Sequence, residues 1–403
     1  MKLDNTWDAV VPSGVKWREI FGNVNALVPG DRTFDGGHIL RITSRSTALG
    51  GLVLITSSAL LLAGCAAAPE TTDDNSAAAS DFIPCMVSDA GGFDDKSFNQ
   101  LGFEGITKAA KELGVKPITV ESNVETDFAP NIQQLVDQNC TLIVTVGFAL
   151  SAATVESALA NPDIEYAIID DAADNDFDGK TDAPNIKPIL FDTAQAAFLA
   201  GYLSAGVSQT GIIGTFGGMN FPTVSIFMDG FKQGADYYNT ENGKAVKVLG
   251  WDGTDGSFTG GFEAGTAAQS TAQALIDQNI DVLLPVGGPI YQSAAAAIRD
   301  SGKDIALLGV DADVYDTDPT VADLLLTSVR KGIDVATYTT VLAAGKDAFD
   351  VTPYVGTLEN KGVGIAGYHD LADKVPADLD TAVKDLQAKI ISGDVKVKSY
   401  LAG

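Results

Sequence analysis

Histidine and cationic side chains are scarce in this 403-residue sequence, and each shortage argues against a class of function. Lysine and arginine total 26 against 53 aspartates and glutamates, so the formal net charge is −27. A surface of this charge repels a phosphate backbone, which argues against nucleic acid as a partner. The two histidines, His38 and His369, offer little for acid–base or metal chemistry, and no Gly-x-Ser-x-Gly or phosphate-loop motif occurs. We therefore expect a protein that is not an enzyme and holds no cofactor.

Cysteine is also rare, and three residues are too few for a disulfide framework. Cys65 follows an apolar run, whereas Cys85 and Cys140 fall in two segments predicted to be neighbouring strands. The last two are either a disulfide formed outside the cell or a pair of inert buried thiols.

The apolar run at residues 47–64 is followed by Cys65 and preceded by Arg41 and Arg45. This order is typical of a secretory signal peptide, and the closing Leu-Ala-Gly-Cys resembles the bacterial lipobox, whose cysteine is diacylated. A transmembrane anchor is the alternative, although the run barely reaches the ~20 residues that a spanning helix needs. The pattern predicts a lipid anchor on Cys65 and an extracytoplasmic location.

The sequence divides residues 1–80 into three segments with different predicted roles. Residues 40–64 are the predicted signal peptide, and residues 65–80, rich in Ala, Ser, Thr and Asp, are a predicted flexible tether. Residues 1–39 show no periodicity, and we expect them to be an untranslated extension ahead of a start codon near Leu40.

Apolar runs alternate with amphipathic stretches of helical period from residue 82 onward. The alternation predicts an α/β protein with parallel sheets covered by helices on both faces. The chain is longer than one core usually organises, so we expect two lobes. The first would contain 81–207 and 322–348, and the second 208–321 and 349–403. The predicted strands are 82–89, 117–122, 142–147, 166–170, 186–192, 211–218, 246–251, 282–288 and 305–311.

Several of these runs end in aspartate or glycine, and open parallel sheets bind ligands beyond the carboxyl ends of their strands. Asp89, Asp170 and Asp311 stand at such ends, where their carboxylates would accept hydrogen bonds from a polyhydroxylated ligand. Helix capping by Asp and turn formation by Gly are the alternative explanation. We expect the strand ends of the two lobes to face each other across one cleft.

Residues 89–100, Asp-Ala-Gly-Gly-Phe-Asp-Asp-Lys-Ser-Phe-Asn-Gln, resemble the opening motif of the basic membrane lipoprotein family. Its best understood members are purine nucleoside receptors of ABC importers with a type I periplasmic-binding-protein fold. The resemblance implies a lipid-anchored monomer that captures a nucleoside, more specifically a purine nucleoside, for ABC permease subunits. It spans residues 82–395 and recurs at 168–170, 217–219, 227–234, 287–288, 309–311, 327–331 and 368–370.

In that family two aromatic rings hold the base, while carboxylates and a lysine bind the ribose and the base edges. By resemblance Phe98 is the first ring and Phe262 the second, with Trp251 as the alternative because the loop at 250–261 is longer than in the family. Stacking is worth ~1–3 kcal/mol per base and tolerates different bases. The competing explanation makes the phenylalanines ordinary core residues and Lys331 a solvated helix start. The other ligand-binding residues implied are Asp89, Asn99, Asp170, Gly288, Asp311 and Lys331.

Residues 174–182, Asp-Asn-Asp-Phe-Asp-Gly-Lys-Thr-Asp, partly match a calcium loop. The twelfth position is Asn185 rather than the bidentate glutamate, so we expect a solvated acidic loop and no metal. Two other functions remain open: a surface nucleoside hydrolase, and a sensor that binds a sugar or another small polar solute.

Overall fold

The computed structural model describes residues 81–401, which form two lobes, each built on a six-stranded sheet. The expectations for residues 1–80, including the signal peptide, lipidation of Cys65 and the tether, lie outside the described residues. The strands are β1 (Pro84–Ser88), β2 (Ile118–Val120), β3 (Leu142–Val146), β4 (Glu165–Ile169), β5 (Ile186–Phe191), β6 (Ile212–Gly217), β7 (Lys247–Leu249), β8 (Val282–Val286), β9 (Ala306–Asp311), β10 (Leu325–Lys331), β11 (Tyr354–Gly356) and β12 (Val363–Ile365).

The first sheet has the order β11-β5-β4-β3-β1-β2 and the second the order β12-β10-β9-β8-β6-β7, so the two lobes repeat one topology. All pairs are parallel except β10 with β12. Every residue of β1, β3 and β8 is buried, as expected for central parallel strands covered on both faces. The predicted fold class, a two-lobed type I periplasmic-binding-protein fold, is confirmed.

Helices cover both faces of each sheet. In the described part of the chain no helix combines the length and the apolar character needed to cross a membrane. The helices are α1 (Phe98–Leu113), α2 (Phe128–Asp137), α3 (Ser151–Ala160), α4 (Thr193–Val207), α5 (Pro222–Asn242), α6 (Thr266–Ile276), α7 (Ile290–Ser301), α8 (Val314–Thr317), α9 (Ile333–Ala344) and α10 (Ala377–Ser392).

Three apolar clusters form the core. One lies between the first sheet and helices α2 and α3, and a second lies between the second sheet and helices α6 and α7. The third is the largest and is shared by both lobes, because it includes residues of α1, α4, α5 and α9. The lobes therefore pack against each other on the faces that carry these four helices.

The chain passes between the lobes after Phe191, after Lys331 and after Gly356. This arrangement differs from the predicted boundaries of 81–207 with 322–348 and 208–321 with 349–403. Helix α4 packs on α5, β10 and β12 of the second lobe, and β10 pairs with β9 there. The sequence prediction placed α4 in the first lobe because this helix lies midway along the chain and is rich in Ala and Gly, and it did not identify β10 as a strand.

Cys85 and Cys140 form a disulfide that links β1 to the residues just ahead of β3. The two strands are paired side by side, with Pro84 opposite Leu142. Of the two alternatives from the sequence, the bridge is the one that the structure contains. Disulfides persist in oxidising compartments, which agrees with a protein outside the cytoplasm.

Candidate functional site

A cleft that holds about 550 Å³ of space, open solvent included, lies between the two lobes at the carboxyl ends of their strands. Ligands of open parallel sheets lie at this edge, and small-molecule pockets often lie between domains. Eight of the nine predicted ligand-binding residues line it, and Trp251 does not. The lining residues are Asp89, Ala90, Asp95, Phe98, Asn99, Gly147, Phe148, Ala149, Asp170, Phe221, Thr223, Val224, Phe227, Phe262, Val286, Gly287, Gly288, Pro289, Asp311 and Lys331.

The three strand-end aspartates are positioned by parallel strands. Asp89 follows β1, Asp170 follows β4, and Asp311 ends β9. Asp170 and Asp311 have φ values of 67° and 66°, in the left-handed region that residues other than glycine rarely adopt. Such strained positions persist where the surrounding structure fixes them, and they cluster at binding sites.

Lys331 joins the two lobes at the centre of the site. Its ammonium group donates to a carboxylate oxygen of Asp170 and lies 3.4 Å from Oδ1 of Asp311. It also lies 5.1 Å from the ring centroid of Phe98 and 4.9 Å from that of Phe227. The residue is 4% exposed and ends a strand, so it is not a solvated helix start.

The loop before α1 shapes the first-lobe wall of the cavity. Asp95 accepts hydrogen bonds from the backbone N–H groups of Ser97, Asn99 and Gln100 at 2.8 to 3.1 Å, so its carboxylate caps the helix. The cap places Phe98 and Asn99 at the first turn of α1, facing the cavity. Nδ2 of Asn99 donates to Oδ1 of Asp89 at 2.8 Å.

Phe262 forms part of the second-lobe wall and packs against glycine backbone. A Cβ at Gly218 would lie 2.4 Å from Cδ1 of its ring, and one at Gly287 would lie 2.7 Å away. Gly287 also has φ at 143°, where other residues are strained. The ring therefore reaches the cavity because these two positions lack side chains.

Trp251, the alternative second ring, lies elsewhere. It lies two residues after β7, which is the edge strand of the second sheet, and its side chain contacts α5. The indole N–H donates to Asp229 at 3.1 Å, and the ring packs edge-on against Phe258. The suggestion that Trp251 replaces Phe262 is corrected by this placement.

Two further aromatic residues meet across the cleft, and the sequence prediction missed both. Phe148 of the first lobe and Phe221 of the second have ring centroids 5.0 Å apart, and Phe221 lies 5.8 Å from Phe262. Phe148 follows the glycine at the end of β3, so the strand-end rule used for the aspartates would have found it. Phe221 precedes the proline that begins α5, a signal for a helix start rather than for a site.

The lobes are closed and joined by direct hydrogen bonds. The buried Ser97 hydroxyl of the first lobe donates to the carbonyl of Val310 at 2.9 Å and contacts Oδ2 of Asp311 at 3.2 Å. The Thr317 hydroxyl of the second lobe donates to the carbonyl of Lys96 at 2.6 Å. These bonds hold the loop before α1 against the end of β9.

Two acceptor atoms in the cavity wall are buried and make no hydrogen bond of good geometry among the described residues: Oδ1 of Asn99, and Oδ1 of Asp311, which faces the ammonium group of Lys331 at 3.4 Å. Buried polar atoms of proteins nearly always have a partner, so these two oxygens suit a ligand that donates N–H or O–H groups. Both nitrogen-bound hydrogens of Asn99 are already directed at Asp89 and Asp95.

Burial shifts the pKa values of the ionisable groups in the cavity. It raises the pKa of Asp89 from 3.8 to about 8, with added repulsion from Asp95, Asp170 and Asp311. It also raises the pKa of Asp170, but Lys331 opposes the effect and the value reaches only about 6. Burial alone would lower the pKa of Lys331, yet the carboxylates of Asp170 and Asp311 outweigh it and the pKa is raised.

The acidic loop at 174–182 brings Asp174, Asp176 and Asp182 together, with carboxylate oxygens within 4.8 Å of one another. These carboxylates accept hydrogen bonds from loop backbone N–H groups at 2.8 to 3.1 Å. Asn185, at the twelfth position, directs its amide away, to the carbonyls of Ala158, Asn161 and Ile164. The loop is thus organised by its own backbone.

The family model described as ABC transporter substrate-binding protein PnrA-like matches residues 82–400, which is nearly the whole described chain. Among curated proteins, basic membrane protein A of Borreliella burgdorferi is 29% identical over 311 residues, covering 77% of this chain and 86% of the relative. An uncharacterised lipoprotein of Pyrococcus furiosus is 28% identical over 331 residues, covering 77% of this chain and 79% of the relative.

Solved structures show the same fold. An ABC transporter solute-binding protein of Aeropyrum pernix superposes with a TM-score of 0.70 at 23% identity. The superposition covers 79% of this chain and 94% of that protein. At this identity the similarity concerns the architecture of the two lobes and not the choice of ligand.

Proposed function

Since the chain belongs to the PnrA-like family of ABC transporter substrate-binding proteins, we propose that its substrate is a nucleoside, with purine nucleosides preferred. Proteins of this class bind a small ligand outside the cytoplasm and work with the permease components of the transporter. In this proposal the protein is a monomer that a lipid on Cys65 holds at the membrane, and the closed lobes deliver the nucleoside to the permease.

The observation that carries the proposal is the combination of aromatic and acidic groups around one cleft between the lobes. Phe98 from the first lobe and Phe262 from the second provide one ring each, and a base can stack on such rings for ~1–3 kcal/mol. Asp311 and Asn99 present buried acceptor oxygens, which suit ribose hydroxyls and N–H groups of a base.

The charge of the cavity argues against other common solutes. Among the described residues that line it, four are aspartates and only Lys331 is cationic. The ammonium group of Lys331 is already paired with Asp170 and Asp311. An added phosphate or amino-acid carboxylate would face the surplus of negative charge, so neutral nucleosides are favoured over nucleotides and amino acids.

Isothermal titration calorimetry with inosine, guanosine and adenosine tests the proposal, with ribose and inosine monophosphate as controls. We expect one nucleoside per chain, and ribose binding weaker by about tenfold or more because it lacks the stacked base. Inosine monophosphate should bind more weakly than inosine. Tighter binding of ribose or of an amino acid than of every nucleoside would contradict the proposal.

The same samples separate binding from catalysis. A substrate-binding protein releases its nucleoside unchanged, whereas a hydrolase would release free base. Chromatography of the incubation mixture should therefore recover intact inosine, and hypoxanthine that accumulates with time would show an enzyme instead.

A further inference from the structure

The four aspartates of the cavity differ in what neutralises their charge. Asp170 and Asp311 share the ammonium group of Lys331. Asp95 forms no ion pair among the described residues but accepts three backbone N–H hydrogen bonds at the N-terminus of α1, and these oppose the rise in its pKa that burial causes. These three carboxylates are therefore supported as anions by a cation or by several donors.

Asp89 has much weaker support. Among the described residues its carboxyl group accepts one hydrogen bond, from Nδ2 of Asn99 to Oδ1 at 2.8 Å. Oδ2 lies against the backbone of Gly147, where a Cβ would come within 2.3 Å of it, so only glycine leaves room for this oxygen. The carboxylates of Asp95, Asp170 and Asp311 repel a charge on Asp89, and the one cation among the described cavity residues, Lys331, is paired with Asp170 and Asp311.

We propose that Asp89 binds the nucleoside as a neutral carboxylic acid, with its proton on Oδ2 donated to an acceptor atom of the ligand. This inference rests on the proposed function. A raised pKa of about 8 agrees with the geometry, since a buried carboxyl surrounded by like charges retains its proton at neutral pH.

The proton makes Asp89 and Asn99 a complementary pair. Because the amide hydrogens of Asn99 are directed at Asp89 and Asp95, its Oδ1 serves as an acceptor. Neutral Asp89 adds a donor beside that acceptor. The pair selects a ligand that presents an acceptor atom next to an N–H or O–H group, as heterocyclic bases do. An ionised Asp89 would offer two acceptors in a row and disfavour the same ligand.

The test compares wild type and Asp89→Asn by calorimetry at about pH 6.5 and about pH 9. Adenosine is the main probe because its base stays uncharged over this range, and inosine is a second probe. We expect wild-type Kd to be about tenfold higher at the upper pH, one unit above the pKa of Asp89. Asp89→Asn should bind within about threefold of wild type at the lower pH and lose the pH dependence, because its amide keeps a donor.

The control variant is Asp176→Asn in the exposed acidic loop, which should retain the wild-type pH dependence. A second readout is proton uptake, from calorimetry at about pH 9 in two buffers of different ionisation enthalpy. Wild type should take up close to one proton per nucleoside bound, and Asp89→Asn none.

The outcomes separate this inference from the proposed function. Tight nucleoside binding with equal wild-type affinity at both pH values and no proton uptake would overturn the role of Asp89 alone. A loss of more than about tenfold in the affinity of Asp89→Asn at the lower pH would also overturn the role of Asp89. The asparagine amide donates a hydrogen bond in place of the carboxylic acid, so this variant should still bind the nucleoside. Failure of wild type to bind any nucleoside at either pH would overturn the proposed function.

Discussion

Asp170 and Asp311 occupy equivalent positions in the two lobes. Each stands at the end of the third strand from one edge of its sheet, β4 in the first sheet and β9 in the second. Each has φ close to 66°, and each faces Lys331. The repeated topology thus brings the carboxylates of two residues with left-handed backbone conformation to one ammonium group, although the sequence separates these residues by more than a hundred positions.

Replacing Lys331 with methionine removes the cation that neutralises Asp170 and Asp311. The change keeps an unbranched side chain, one atom shorter than lysine, but leaves Asp170 and Asp311 buried without their cation. We expect a loss of about 2–5 kcal/mol in nucleoside binding free energy, measured by calorimetry. The lobes should also open more readily, because the link from Lys331 to Asp170 joins them.

Two variants make this prediction specific. Lys232→Met removes a partly exposed lysine that pairs with Asp236 on α5, outside the cavity, and it should change affinity and stability by less than about 0.5 kcal/mol. The double variant Lys331→Met with Asp170→Asn should recover part of the lost binding, because one unpaired carboxylate is gone. Wild-type affinity in the single variant would show that the lysine has no part in the site.

The sequence allowed some site residues to be predicted on physical grounds and others only by resemblance. Asp89, Asp170 and Asp311 followed from the rule that ligands lie beyond the ends of parallel strands. Lys331 did not, because β10 was not recognised as a strand, and its position came from the family motif alone. Phe262 lies in a loop, so its contact with Gly218 and Gly287 depends on tertiary packing that no local pattern reports.

At the scale of secondary structure, all nine predicted strands are present as β1 to β9. Three further strands, β10, β11 and β12, were not predicted, and each omission has a physical reason. β10 carries Arg330 and Lys331 at its end, so its apolar run is short, and β11 and β12 have three residues each. Pairing with neighbouring strands stabilises such short strands. β2 and β7 also have three residues each, but they lie within the longer predicted runs 117–122 and 246–251, whereas β11 and β12 each contain a glycine and lie in no such run.

The contact between α4 and α5 depends on glycines in both helices. A Cβ at Gly201 would lie 1.9 Å from the carbonyl oxygen of Phe231, and one at Gly234 would lie 1.9 Å from that of Phe198. The helix backbones therefore approach more closely than any larger residue permits. This close contact anchors α4 to the second lobe, which sequence periodicity alone did not indicate.

Gly201→Ala should consequently destabilise the protein. Alanine favours a helix by about 1 kcal/mol over glycine, but the clash with backbone forces the two helices apart and should cost about 1–3 kcal/mol net. The measurement is the midpoint of urea unfolding followed by circular dichroism.

The matched control is Gly102→Ala in α1, where the nearest atoms to a new Cβ lie at 3.5 to 3.6 Å. This distance is ordinary van der Waals contact, so we expect no loss of stability and a gain of up to about 1 kcal/mol from helix propensity. Equal destabilisation by both substitutions would contradict the close-contact explanation.

On the scale of the whole molecule, the site is built from residues of both lobes. Lys331, Asp311 and Phe262 come from the second lobe, whereas Asp89, Phe98 and Asp170 come from the first. Phe148 and Phe221 also meet across the cleft, and Ser97 joins the loop before α1 to β9. Three chain crossings act as the hinge, so ligand capture and closure are one event in this proposal.

The net charge of −27 bears on which partners and ligands the protein can bind. Such a charge disfavours nucleic acid as a partner, and in the proposed function the excess of aspartate over lysine in the cavity favours a neutral ligand. The disulfide between Cys85 and Cys140 links β1 to the residues just ahead of β3. The disulfide and the family thus agree on a substrate-binding protein that works outside the cytoplasm.

The central claim, that the closed lobes enclose a nucleoside, is tested most directly by mass spectrometry of the ligand released from protein purified without denaturation. The account predicts one nucleoside, most often a purine nucleoside, per chain in the ligand-bound fraction. Recovery of an amino acid or a free sugar in its place would contradict the account.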